Sequence, residues 1–124
     1  MGDTTPEKTH QLDAFIEHRG EKYRCEFKWQ EKLIGYDDIA LFIEKLDVVG
    51  ISGLFISMSG FEEAAIRKVQ EARMTKAVLL MDGEEVQPLM EGQVNFDEVL
   101  SIKRSYFDQR SQPYHRVVSL KEVG

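Results

Sequence analysis

The chain has 124 residues, 42% of them hydrophobic and 31% charged, enough for one ordinary soluble domain with a single core. Its polar start lacks the apolar stretch of a secretory signal, no apolar run approaches the roughly 20 residues that span a bilayer, and Cys25 is the only cysteine. An internal disulfide and a multi-cysteine zinc site are thereby excluded, a cytoplasmic setting is expected, and the net charge of −6 leaves any nucleic-acid binding to local charge.

Residues 1–10 have no apolar period and read as a flexible leader. From 11 to 29 two runs alternate with a period of two. Leu12, Ala14 and Ile16 form one apolar series, and Tyr23, Cys25, Phe27 and Trp29 form the other. Between them His18-Arg19-Gly20-Glu21 suits a tight turn, so this stretch is expected to be a β-hairpin. Ile39, Phe42, Ile43 and Leu46 repeat at helical spacing over 36–46, with Asp37 or Asp38 near the start.

Gly50 and Gly53 bracket a strand ending in Leu54-Phe55-Ile56. Ser59, with Glu62 three residues on, looks like the cap of a helix running through Ala72. The apolar run 77–81 reads as a strand covered on both faces, stopped by the turn pair Asp82-Gly83. Val86, Leu89 and Met90 suit a short helix closed by Gly92, with Pro88 early in it or bending it, and Asn95 caps a last helix. After Ser111 a tail follows, in which Val117-Val118 add an edge strand or stay loose. The order predicts an α/β domain over 11–110, with a mixed β-sheet flanked by helices and right-handed crossovers in its βαβαβ part.

If the hairpin closes around Arg19-Gly20, Asp13 stands opposite Glu26 on one face of the sheet, and Lys28 shares that face. A bulge at Gly20 would break the alignment. Two carboxylates so placed can share a hard cation such as Mg²⁺, and the lysine can orient a water or offset charge on a phosphoryl transition state. Glu-x-Lys alone is more often an ordinary cross-strand pair on a solvated face. The upstream aspartate and the following βαβαβ order shift the balance toward a site.

Glu26-Phe27-Lys28-Trp29 resembles the E-x-K-W strand of Mrr-like, type IV restriction endonuclease domains of the PD-(D/E)xK superfamily. Gly53-Leu54-Phe55-Ile56-Ser57-Met58-Ser59-Gly60-Phe61 is similar to that family's strand-to-helix junction, and Leu79-Leu80-Met81-Asp82-Gly83 to its last core strand. The resemblance implies a restriction-endonuclease-like fold and a Mg²⁺-dependent endodeoxyribonuclease, with Mn²⁺ as a substitute and DNA as partner. By motif position Asp13 and Glu26 would be metal ligands, Lys28 the catalytic lysine, and Gln30 a further polar residue of the site. The chain departs from the family in lacking a first helix. This suggests a fragment, a truncated member or an element supplied by another chain, and the uncovered sheet surface favours a homodimer. Two alternatives stand beside it: a nuclease-fold module that binds DNA or assembles without cleaving, and an α/β domain in which the three residues are a plain surface network.

The other candidates read more simply. His10, His18 and His115 lack zinc spacing and are expected in solvated loops. Ser57 and Ser59 suit capping better than nucleophilic attack, though residues 57–61 offer a helix N-terminus to a phosphate. The glycines form no nucleotide-binding loop, and Met58, Met74, Met81 and Met90 read as core or edge fillers. Lys32, Arg67, Lys68, Arg73, Lys76, Lys103 and Arg104 are either a local DNA track or scattered solubilising charge.

Overall fold

The computed structural model describes residues 10–119, so the expected leader lies, but for residue 10, outside the described residues. The hairpin forms as expected from β1 (His10–His18) and β2 (Glu21–Trp29). Its two-residue turn places Arg19 at φ 53° and Gly20 at φ 83°. Two successive positive φ values match the twist of the flanking strands, and Gly20 meets that requirement without a Cβ penalty. No bulge intervenes, and the antiparallel register runs unbroken from His18↔Glu21 to His10↔Trp29.

After β2 come α1 (Tyr36–Glu44), β3 (Ile51–Ser57), α2 (Glu63–Glu71), β4 (Val78–Asp82), α3 (Gly83–Met90) and α4 (Phe96–Arg110). The four strands lie in the order β1-β2-β3-β4, with β2, β3 and β4 parallel. The sheet is therefore mixed and flanked by helices on both faces, as the order of apolar periods predicts.

The pleat sorts the core into two layers. Tyr23, Cys25, Leu54, Leu79 and Met81 pack with Val86 of α3 and with Val99, Leu100 and Phe107 of α4. On the other face Phe55, Val78 and Leu80 pack with Ile39 and Phe42 of α1 and with Ala65 and Val69 of α2. β4 is buried along its whole length, as expected of a strand covered on both sides. Close approach of α1 to the sheet requires Gly53, since a Cβ there would lie 2.6 Å from the Phe42 ring and 2.8 Å from Leu46.

Four local expectations are corrected. Ser59 does not cap α2. Ile34 and Phe61 form a parallel bridge that keeps the chain extended to Glu62, which is the N-cap instead. Asp82-Gly83 is not a turn: β4 runs straight into α3, whose N-cap Asp82 accepts from the N–H groups of Glu84 and Glu85. Pro88 sits late in that helix rather than early. Residues 111–119 form neither an edge strand nor a loose tail. The Pro113 carbonyl takes the Leu80 N–H at 2.9 Å, and Val117 is buried in the core. Among the described residues no helix is long and apolar enough to cross a membrane.

Candidate active site

The strand pairing puts Asp13 directly opposite Glu26, with Lys28 two residues further along the same face of β2. Directly opposed side chains on one face of an antiparallel pair have Cβ atoms about 5 Å apart. Tyr23, Cys25 and Phe27 turn to the opposite, apolar layer. In the parallel part Lys28 stands beside Ser57, and Ser57 beside Asp82. The lysine therefore lies at the carboxyl ends of the parallel strands, the edge at which open α/β sheets bind ligands.

Each charge of this strip has a partner of opposite sign. Lys45, the C-cap of α1, brings Nζ to 3.2 Å from Glu26 Oε1. Arg24 reaches Asp13 Oδ2 at 3.4 Å, lies over the Phe15 ring, and buries an Nε without a hydrogen-bond partner. Lys28 Nζ is 3.5 Å from Asp38 Oδ1 at the start of α1. Three carboxylates thus face three cations, and the strip is electrically neutral as it stands. Glu26 is buried while Asp13 is two-fifths exposed, so the pair spans the boundary between protein and solvent.

Gln30 follows the last residue of β2 and turns its amide to the Lys32 carbonyl at 2.8 Å. It lines a cavity of about 440 Å³ that opens beyond the strand ends, walled also by Lys32, Tyr36, Asp38 and Glu62. Asp38, the partner of Lys28, lines this cavity, so Gln30 belongs to the neighbourhood of the strip without bonding to it.

Among the described residues no group of three His, Cys, Asp or Glu is placed to hold a metal ion. The donor set is two carboxylates, Asp13 and Glu26. Mg²⁺ is commonly held by one or two carboxylates, with waters and substrate phosphates completing its shell. A hard cation held by these two carboxylates would share its coordination with substrate and would not sit in an all-protein cage.

Several candidates take other places. Lys103 is fully buried and donates to Glu85 at 2.7 Å, so it belongs to no surface DNA track. Arg104 is committed to Glu21 and Asp108. His18 is no solvated loop residue: its ring bonds Asp97, tying the hairpin to the N-terminus of α4. His115 stacks on Tyr106, and the His10 side chain lies outside what is described. Ser57 is buried, donates to the Gly60 carbonyl and accepts the Gly60 N–H, and so shapes the junction rather than acting as a nucleophile. Met81 is core, whereas Met74 and Met90 are largely exposed.

Of the strip's partners, Arg24 and Lys45 carry no local sequence signal of that role, and Asp38 carries none beyond its place near the start of α1. Arg24 shares the strand face of Glu26, and Asp38 sits in the first turn of the expected α1. Their period and position were visible, but their reach across to the strip is tertiary. No family model, curated protein or solved structure matches the chain.

Proposed function

We propose that the chain is a metal-dependent DNA phosphodiesterase of the PD-(D/E)xK, Mrr-like type, built on a restriction-endonuclease-like variant of its mixed sheet. The observation that carries the reading is the register that sets Asp13 across from Glu26, with Lys28 on the same face at the carboxyl end of β2. The order of chemical groups along that edge supports it. In this reading Asp13 and Glu26 hold Mg²⁺ or Mn²⁺, which supplies charge neutralisation at the scissile phosphate and acidifies a bound water.

The chain's own residues do the rest. Glu26, enclosed and held by Lys45, is the fixed ligand, and Asp13 at the open rim is the adjustable one. Lys28 places an ammonium beside the reacting phosphoryl group, where it offsets developing charge and orients the attacking water. The six ionic groups sum to zero before a cation binds, and a divalent cation makes the strip locally positive. That change suits a polyanionic substrate approaching a chain whose overall charge is −6.

The test is cleavage of supercoiled plasmid with Mg²⁺ or Mn²⁺. Wild type should nick it, and Glu26→Gln and Lys28→Met should each lower the rate on the order of 100-fold or more. Intact plasmid with wild type, or equal cleavage by the variants, would end the reading.

The one-to-one ion pairing favours a second reading, a nuclease-fold module that binds or assembles without cleaving. It expects no heat on Mg²⁺ titration and unchanged DNA retention in Lys28→Ala. A saturable heat that disappears in Asp13→Ala decides against it.

A further inference from the structure

Lys28 is enclosed more tightly than its partner, yet neither acid on its own sheet face holds it. Glu26 Oε1 is given to Lys45, and Asp13 Oδ2 to Arg24. Among the described residues the ammonium has one carboxylate within 4 Å, that of Asp38, which comes from a different element. Asp38 itself is pinned. It is the third residue of α1, and its Oδ2 accepts the N–H of Gly35, the N-cap, at 3.1 Å. The same carboxylate therefore does two things with its two oxygens: Oδ2 accepts the N–H of the N-cap glycine, which has no side chain to return the bond, and Oδ1 faces Lys28.

Capping alone asks only for an acceptor at this position, and an amide oxygen would serve it. The full negative charge is surplus to the cap and is aimed at the lysine. Asp37, the neighbouring acid of the same turn, has the same relation to the helix dipole. No ion pair to a lysine is recorded for it among the described residues, so it separates a charge at the helix start from a charge directed at Lys28.

Resting on the nuclease reading, we infer that Asp38 is the positioning residue for Lys28. It holds the ammonium against the first turn of α1 at the carboxyl end of β2, where a phosphate seated on the Asp13–Glu26 cation would meet it. Because the acid is fixed to the first turn of α1, the lysine's place is set by the helix and not by the flexibility of its own four-carbon stem.

The experiment compares wild type, Asp38→Asn and Asp37→Asn, each checked for native helix content by circular dichroism. The first readout is competitive acylation, followed by mass spectrometry, with Lys32 as the internal standard. Lys28 labelling should rise several-fold in Asp38→Asn and stay at the wild-type level in Asp37→Asn. The second readout is steady-state cleavage of a DNA duplex with Mn²⁺. Asp38→Asn should lower kcat about 10-fold with KM changed less than about twofold, because geometry is lost and binding is not. Asp37→Asn should leave both near wild type.

Equal Lys28 labelling in the two variants, or an equal fall of kcat in both, overturns the positioning role alone. A wild type inert on DNA removes the catalytic purpose together with the nuclease reading, even where the labelling shows that Asp38 holds Lys28.

Discussion

Replacing Lys103 by Met should be among the most damaging single changes available to this fold. Lys103 and Glu85 are both fully buried, with Nζ 2.7 Å from Glu85 Oε2 and 2.8 Å from the His115 carbonyl. Glu85 also accepts the N–H groups of Asp82 at 3.1 Å and Val117 at 2.9 Å. Burial pushes the Glu85 carboxyl up, opposed by the Lys103 charge, and burial pushes Lys103 down. The methionine matches the volume, so no large cavity forms, but the carboxylate loses its counter-ion and the His115 carbonyl its donor.

Breaking a buried pair from one side costs about 3–5 kcal/mol, against a total of about 5–15 kcal/mol for a domain of this kind. The two backbone donors that remain on Glu85 argue for the lower half of that range. The assay is equilibrium urea denaturation followed by far-ultraviolet circular dichroism, with Glu85→Gln/Lys103→Met as the companion. The double variant should recover most of the loss, since no buried charge is then left unpaired.

The pH dependence has a definite sign. Without the lysine the Glu85 pKa rises further above its unfolded value. The folded state then holds a proton that the unfolded state has released, so the deficit should shrink as pH falls from 8 toward 5. A loss below about 1 kcal/mol, or a deficit that deepens on acidification, would refute the reasoning.

Further outcomes follow from other parts of the molecule. Gly53→Ala should cost about 1–3 kcal/mol by urea denaturation, because its Cβ has no room beneath Phe42 and Leu46, and a neutral result would contradict the close contact. Burial raises the Cys25 thiol to about 11 and the Tyr23 phenol to about 12, so both stay protonated in the fold at pH values where the unfolded chain loses those protons. Stability should therefore be lost as pH climbs from about 9 to 12, less steeply in Tyr23→Phe, and a flat alkaline profile would speak against burial of these groups. On the nuclease reading, Lys45→Met removes a competitor for Glu26 and should tighten Mg²⁺ binding by about 3- to 10-fold in calorimetry, whereas unchanged or weaker binding would tell against Glu26 as a ligand.

The hairpin was legible because its information is local: alternating Tyr23, Cys25, Phe27 and Trp29 set the apolar face, and Arg19-Gly20 set the turn. From those two facts the opposition of Asp13 and Glu26 could be read without coordinates. The cap of α2 and the junction from β4 to α3 differ from expectation where neighbours override local preference. The bridge from Ile34 to Phe61 delays the start of α2, and the apolar layers around β4 carry Asp82 directly into α3. Lys103 was misread for a related reason, since nothing near it in the chain announces Glu85, eighteen residues earlier, as a buried partner. Partners of the strip share that difficulty: Lys45 lies nineteen residues from Glu26 and meets it only once α1 has folded back onto the sheet.

The two-residue hairpin turn has a consequence of its own. Which face a side chain takes in a strand is a matter of parity, and the length of the turn fixes the parity of β1 relative to β2. An insertion of one residue that kept a two-residue turn would slip the register and send Asp13 to the face of Cys25, away from Glu26. A pair of inserted residues at the tip would lengthen the loop and leave the opposition intact. The turn makes no contact with the strip of charges, yet the register it sets decides whether the strip exists.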